Sequence, residues 1–214
     1  MDRRPTAPIP KPQTVSDGPA CYTGAMKRIL MPIGDAAEVL DTFYPLFRLQ
    51  EEGYEAVVAG PEARRYALVL HERPAGWDIT EERPGYHLDA SVAFRNVDPG
   101  AFDGLYLTGG RAPEYLRYDA DLLRITRHFF ETRKPVAVVC HGIEIPSAAG
   151  VLRGRTATTV AKCRLDVEQG GGRYVDQACV IDGPLVTART WHDIAPLMRE
   201  FLALLKGGVT RQRS

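Results

Sequence analysis

The sequence predicts an α/β fold built on a mostly parallel central sheet, and three observations carry that prediction. Short apolar runs rich in β-branched residues alternate with longer stretches of helical periodicity. The first strand, helix and strand follow one another at the spacing of a βαβ unit, which implies parallel pairing and a right-handed crossover. The apolar run Val136 to Val139 then stops at Cys140-His141-Gly142, and the chain resumes as a helix. That strand-turn-helix order lifts one side chain above the end of a sheet.

The first strand is read in Lys27 to Ile33, closed by Gly34-Asp35. Glu38 to Glu52 carries apolar residues at Val39, Leu40, Phe43, Leu46, Phe47 and Leu49, a helical stripe that Gly53 ends. Tyr54 to Ala59 is the next strand, closed by Gly60-Pro61. From 62 to 101 the pattern loosens. Tyr66 to His71 and Ser91 to Phe94 read as short strands, with turn-rich sequence around Arg73-Pro74-Ala75-Gly76-Trp77 and Arg83-Pro84-Gly85-Tyr86. An excursion of this length is either functional or a β-hairpin that covers the sheet edge.

Gly104 to Leu107 is a buried strand leading into Gly109-Gly110, where the backbone can approach a ligand closely. Asp119 to Arg133 is an amphipathic helix with Leu122, Leu123, Ile125, Phe129 and Phe130 inward. Pro135 opens the central strand, and Ile143 to Ala149 winds as the following helix, accepting Glu144 and Pro146 in its first turn. Gly150 to Gly154 is a turn, Thr156 to Thr159 a short strand and Lys162 to Gly170 a short helix. Ala178 to Asp182 and Leu185 to Ala188 form a hairpin across Asp182-Gly183, and Ile194 to Leu205 closes the domain.

The chain of 214 residues, 44% of them hydrophobic, supports one substantial core and hence one domain, read as 27–206. Residues 1–26 hold five prolines and no apolar periodicity, and are expected to be a flexible tail unless Cys21-Tyr22 anchors them on a neighbouring subunit. A basic tail, 207–214, is expected to fray. Lys and Arg together number 27, as do Asp and Glu, so no overall field favours nucleic acid or an anionic membrane. Cysteines at 21, 140, 163 and 179 follow no metal-ligand spacing and are too sparse for a disulfide scaffold, so no metal is expected and a reducing cytoplasm is the simplest setting. No apolar run is long enough to span a bilayer, and the N-terminus lacks the apolar core of a secretory signal.

Cys140 is the candidate reactive group. At the end of a strand and the start of a helix its thiol is expected to be partly exposed, with its thiolate favoured by nearby backbone N–H groups. The same stretch also fits a buried structural cysteine, since free Cys is among the most buried residue types. Cys163 and Cys179 read as packing residues.

The motifs GGRAPEYL (109–116) and KPVAVVCHG (134–142) resemble those of the ThiJ/PfpI superfamily, also called the DJ-one superfamily, within the class I glutamine amidotransferase-like fold. The resemblance runs from about Lys27 to Leu205 and takes in Gly34-Asp35, RLQEEG at 48–53, AAGVLRGR at 148–155 and VIDGPLVTAR at 180–189. It implies a flavodoxin-like three-layer α/β/α sandwich, with Cys140 as the reactive elbow cysteine and His141 as the histidine that follows it in the peptidase-like branch. Glu114 resembles the carboxylate that in assembled relatives reaches the neighbouring subunit's histidine. Gly110 and His141 would supply backbone N–H groups to an oxyanion.

The family places a glutamate four residues before a proline on the first helix, where its protonated carboxyl bonds the thiolate. Counting back from Pro45 gives Asp41, one methylene shorter, a loss of about 1.5 Å in reach. Glu38, one turn earlier, could substitute, although a solvated first-turn acid is the simpler expectation. Arg111, Trp191 and His192 are further pocket candidates, with His192 standing where relatives commonly carry an aspartate.

The resemblance implies a cysteine-dependent enzyme that needs no cofactor and acts on small reactive carbonyls, with glyoxalase III-like or deglycase-like chemistry. A PfpI-type peptidase using Cys140, His141 and a partner's glutamate is the alternative, and relatives also include isocyanide hydratases. A non-enzymatic redox sensor or holdase is the rival from another class, with Cys140 oxidised to a sulfinic acid. A homo-oligomer, dimer or hexamer, is expected, with no nucleic-acid or membrane partner.

Overall fold

The computed structural model describes residues 26–207. It is a three-layer α/β/α sandwich around a seven-stranded sheet ordered β10-β11-β7-β6-β1-β2-β5. The strands are β1 Arg28–Pro32, β2 Glu55–Gly60, β5 Val92–Ala93, β6 Gly104–Leu107, β7 Val136–Val139, β10 Cys179–Asp182 and β11 Leu185–Ala188. Every neighbouring pair is parallel except β10 with β11, the hairpin expected across Asp182-Gly183. The central strands β6, β7 and β11 are buried at every position, which is why they read as unbroken apolar runs rather than as alternation.

The helices are α1 Val39–Glu51, α2 Ala112–Leu116, α3 Ala120–Glu131, α4 Glu144–Ala148, α5 Arg164–Gln169 and α6 Ile194–Leu205. Asp119 caps α3 by accepting from the Leu122 N–H at 2.9 Å, so the helix begins one residue after it. α6 settles on the sheet over Gly104, where an added Cβ would lie 2.9 Å from Leu205 Cδ2 and 3.2 Å from Phe201 Cζ. Phe201 and Leu205 are buried there, each gaining roughly 2–3 kcal/mol from leaving water.

The expected stripe of α1 is wider than the face it buries. Val39, Leu46 and Leu49 are in the core, but Leu40 and Phe47 are exposed, with Tyr44 beside them. Phe47 stacks on Phe43, whose ring meets Tyr86 edge-on.

Three regions depart from the sequence reading. Residues 83–86, expected as a turn, belong to β4 (Glu81–Asp89), which pairs antiparallel with β3 (Arg65–Glu72) as a separate two-stranded sheet. A register shift between Ala67 and Val69 accommodates Pro84, which needs no ladder donor on an isolated ribbon. This ribbon lies over the start of α1 rather than along the sheet edge: the Val69 N–H donates to Ala37 O at 2.9 Å. Second, strand structure after Ser91 is limited to β5, and Phe94–Asn96 turns into a 3-10 helix. Third, Thr156–Thr159 yields only β8 (Thr156–Ala157), paired with β9 (Arg173–Tyr174), and the expected helix from Lys162 is a 3-10 turn, Ala161–Cys163, followed by α5. The readings of 1–25, including the Cys21-Tyr22 anchor, and of 208–214 lie outside the described residues. Lys206, the last residue of the expected domain, caps α6 and pairs with Glu52 at 2.6 Å.

Candidate active site

β7 ends at Val139, paired with Ala188 of β11, and the next residue takes a left-handed conformation, φ 54° at Cys140. A non-glycine residue there costs on the order of 1–2 kcal/mol, so its neighbours must over-determine it. Two contacts do so. Thr159 Oγ1 donates to the Cys140 carbonyl at 2.7 Å, and Gly142 packs so closely on β6 that a Cβ would lie 2.7 Å from Leu107 O. The elbow then winds through a 3-10 turn, Cys140–Ile143, into α4.

The sulfur is less open than expected: Cys140 is 5% exposed. Burial raises its thiol pKa above the ordinary value, and negative charge on Asp41 would raise it further. The backbone N–H groups of His141 and Gly110 act in the opposite sense. The resemblance implies a different task for these two groups, donation to a substrate oxyanion. Gly110 reaches the sulfur because it is at φ 80° with its Cα pressed on the start of α1, where a Cβ would lie 2.4 Å from both Ala36 O and Glu38 N.

Beneath the sulfur are two buried acids. Asp41 is fully buried, and neither carboxylate oxygen has a hydrogen-bond partner. Burial, followed by the charge of Glu38, raises its pKa well above the carboxylate range, with the Gly109 backbone pulling the other way. An unpartnered buried carboxylate is costly, whereas the sulfur has two N–H groups beside it. Any single negative charge shared by the pair therefore belongs on sulfur, with Asp41 protonated. Asp41 and Cys140 make no direct hydrogen bond, as the missing methylene leads one to expect. Asp41→Glu is expected to close that gap, lower the thiol pKa and speed iodoacetamide alkylation at pH 7 about tenfold. Unchanged alkylation would mean that the carboxyl does not control the thiol.

Glu38 is not the solvated acid anticipated from sequence. It is 1% exposed and caps α1, accepting from the Asp41 N–H at 2.6 Å. The β3–β4 ribbon covers it, through a bridge to Val69. Burial pushes its pKa up to about 7, against the pull of the Asp41 N–H. The stability consequence has a definite sign. Below the ordinary value of 4.5 Glu38 is protonated in both states. As pH rises toward 7 the unfolded chain ionises first, so stability falls across that window. The separation corresponds to up to roughly 3 kcal/mol. Glu38→Gln keeps a cap acceptor and is expected to flatten this decline, raising stability at pH 8 relative to wild type; equal slopes in urea titrations from pH 4.5 to 8 would contradict it.

Cys140 and His141 open onto a cavity of about 480 Å³. Arg111, Glu114, Trp191 and His192 also line it, so six of the eight side chains singled out in sequence converge there, while Asp41 and Glu38 lie behind the sulfur. Glu114 is engaged by Arg111, 3.1 Å between Nη2 and Oε2. His192 Nδ1 lies 3.2 Å from Thr190 Oγ1. One wall is the ribbon and its connecting loop, which supply His71, Arg73, Asp78, Ile79, Thr80 and Glu82. Lys162 closes the rim opposite, with Nζ 3.4 Å from Thr80 Oγ1.

Sequence reasoning placed Glu144 only as an acid in the first turn of a helix. In the structure its Oε1 lies 2.7 Å from His141 Nδ1, and its Oε2 accepts from Arg117 at 3.1 Å. Arg117 also holds Asp166 at 2.9 Å, and the Cys163 thiol donates to Glu144 Oε1 at 3.6 Å. Burial raises the Glu144 pKa, but the hydrogen bond and charge of His141 and the charge of Arg117 outweigh it, so the net shift is downward. The available signal was the three-residue spacing of His141 and Glu144, neighbours on one helical turn. His141, Glu144 and Cys163 place donor atoms within 4.8 Å of one another, the sole such group found among the described residues. The Arg117 guanidinium against Glu144 counts against a cation there.

A strained elbow cysteine on a parallel sheet, flanked by backbone donors and buried acids and opening onto a cavity, defines a protein of the elbow-cysteine α/β class. The chain belongs to the DJ-1/PfpI family, whose family model matches residues 27–204. It is 39% identical over 179 residues to a deglycase of Thermococcus kodakarensis, covering 84% of this chain and 99% of that protein. With Deglycase PfpI of Pyrococcus furiosus it shares 36% identity over 179 residues, at 84% and 99% coverage. Among solved structures it resembles a two-domain protein of Anabaena variabilis with DJ-1/ThiJ/PfpI-like and ferritin-like domains: TM-score 0.72, 26% identity, 88% of this chain and 52% of that one. Drosophila melanogaster DJ-1beta matches in fold, with a TM-score of 0.71 at 18% identity over 85% of this chain and 91% of that one. Among the described residues no helix is long and apolar enough to cross a membrane.

Proposed function

We propose that the protein is a cysteine-dependent enzyme acting on small 2-oxoaldehydes and the adducts they form, with Cys140 as nucleophile. The observation that carries this reading is a strained cysteine between two backbone N–H donors at the floor of a cavity of about 480 Å³, room for a small carbonyl compound. Relatives named deglycases, sharing more than a third of their residues with this chain, support it.

On methylglyoxal the Cys140 sulfur adds to the aldehyde carbon, and the new C–O⁻ is stabilised by the N–H groups of Gly110 and His141 before it takes up a proton. A base then removes the C1 proton of the hemithioacetal, and a proton is delivered to C2, so C1 is oxidised as C2 is reduced. The resulting thioester is hydrolysed by water, giving lactate and the free thiol. No cofactor enters this balance. With the aminocarbinol that methylglyoxal forms on an amine, the C–N bond breaks as the C–S bond forms at C1; the amine leaves with a proton and the same hemithioacetal results.

The test is direct: purified protein incubated with methylglyoxal should yield lactate, and prior alkylation of Cys140 should stop it. Absence of turnover with methylglyoxal, glyoxal and their amine adducts would remove the proposal and favour a redox-sensing thiol. The peptidase reading has less support in the single chain, where Glu114 is already paired with Arg111. The exposed Leu40, Tyr44 and Phe47 of α1 favour self-association, which sedimentation would reveal as a mass above that of one chain.

A further inference from the structure

His141 has two ring nitrogens in different surroundings. Nδ1 is 2.7 Å from Glu144 Oε1, whereas Nε2 has no hydrogen-bond partner among the described residues. The ring also lines the cavity that holds Cys140. An ionised carboxylate can only accept, so the proton of this bond belongs to Nδ1, and Nε2 is the ring nitrogen left without a protein partner.

Glu144 is itself fixed. It is 5% exposed, its Oε2 is held by Arg117, and Arg117 is anchored in turn by Asp166 of α5. The Cys163 thiol adds a further donor to Oε1. A carboxylate with both oxygens occupied cannot rotate without breaking an ion pair, so it can select one tautomer and one orientation of the imidazole. Glu114, the acid that the sequence pointed to, lines the same cavity but pairs with Arg111 rather than with His141.

We propose that Glu144, locked by Arg117 and Asp166, is the positioning residue that holds His141 with Nδ1 protonated and Nε2 free to carry protons at the Cys140 site, all within one chain. This rests on the carbonyl chemistry proposed above only for what His141 does with the proton. In that sequence Nε2 accepts the C1 proton of the hemithioacetal, becoming imidazolium, and returns a proton to C2, ending neutral. It then takes a proton from the water that attacks the thioester and gives it to the departing sulfur.

Two measurements test it. In protein labelled with ¹⁵N-histidine, two-bond ¹H–¹⁵N correlations should show His141 in the Nδ1–H tautomer, and Glu144→Gln should disturb that pattern, while Glu114→Gln should leave the His141 ring signals in place. In steady-state kinetics, Glu144→Gln should lower kcat about 10- to 100-fold with KM within about twofold, the split expected when general acid–base catalysis is impaired and substrate binding is not. An Nε2–H tautomer in the wild-type protein, or an unaltered kcat in Glu144→Gln, would overturn the proposal. The wild-type spectrum needs no variant and no substrate. It decides the positioning claim even if Glu144→Gln fails to fold or if no aldehyde is turned over, an outcome that would defeat the carbonyl reading alone.

Discussion

Cys140→Ser is expected to lower methylglyoxal turnover by at least about a thousandfold while the protein remains folded. The hydroxyl would occupy nearly the same volume at the same strained backbone position, held by the same Thr159 hydrogen bond. It would not ionise, because a site that already raises a thiol pKa by burial raises that of an alcohol from a far higher starting point. The expected signature is lost lactate formation with an unchanged urea midpoint, within about 1 kcal/mol of wild type. Turnover within tenfold of wild type would mean that the nucleophile lies elsewhere.

The second large effect is expected at a residue with no side chain. A Cβ on Gly109 would lie 2.5 Å from Asp41 Oδ2, 2.6 Å from Cys140 Cβ and 3.2 Å from Cys140 Sγ. All three atoms are buried in a packed core and cannot yield cheaply. Gly109→Ala must therefore push the acid and the sulfur apart or lift the segment after β6 that carries Gly110. Either change removes the arrangement of acid, thiol and backbone donors, so activity should fall at least about a hundredfold, with a stability loss of roughly 1–3 kcal/mol. A Gly109→Ala protein of wild-type activity would show that this close packing has no part in the chemistry.

The sheet and the nucleophile were legible because their signals are local. Val136 to Val139 is too short and too β-branched for a helix, and the Gly142 that follows permits the sharp turn seen against Leu107. The acids were harder to read. Asp41 and Glu38 look alike as first-turn carboxyls, and what buries Glu38 is a ribbon whose strands begin more than 25 residues later, at Arg65. That ribbon was itself obscured, because Pro84 and Gly85 read as a turn unless the bulge opposite them is known. Arg117, Glu144 and Asp166 meet from α4, α5 and the end of α2, and no spacing in one sequence announces three elements converging. The stripe of α1 shows the opposite failure. Periodicity reported every apolar residue on the helix without revealing that Leu40 and Phe47 have no core to face.

The β3–β4 ribbon stands outside the main sheet but is tied to the segment before α1, by the Ala36 N–H to Ala67 O, the Val69 N–H to Ala37 O and the Ala67 N–H to Asp35 Oδ1, and it buries Tyr66 and Leu68 in the core. The same ribbon therefore both seals Glu38 in and supplies one wall of the cavity. Loosening it would alter two things at once, the shape offered to a bound molecule and the access of water to the acid behind it.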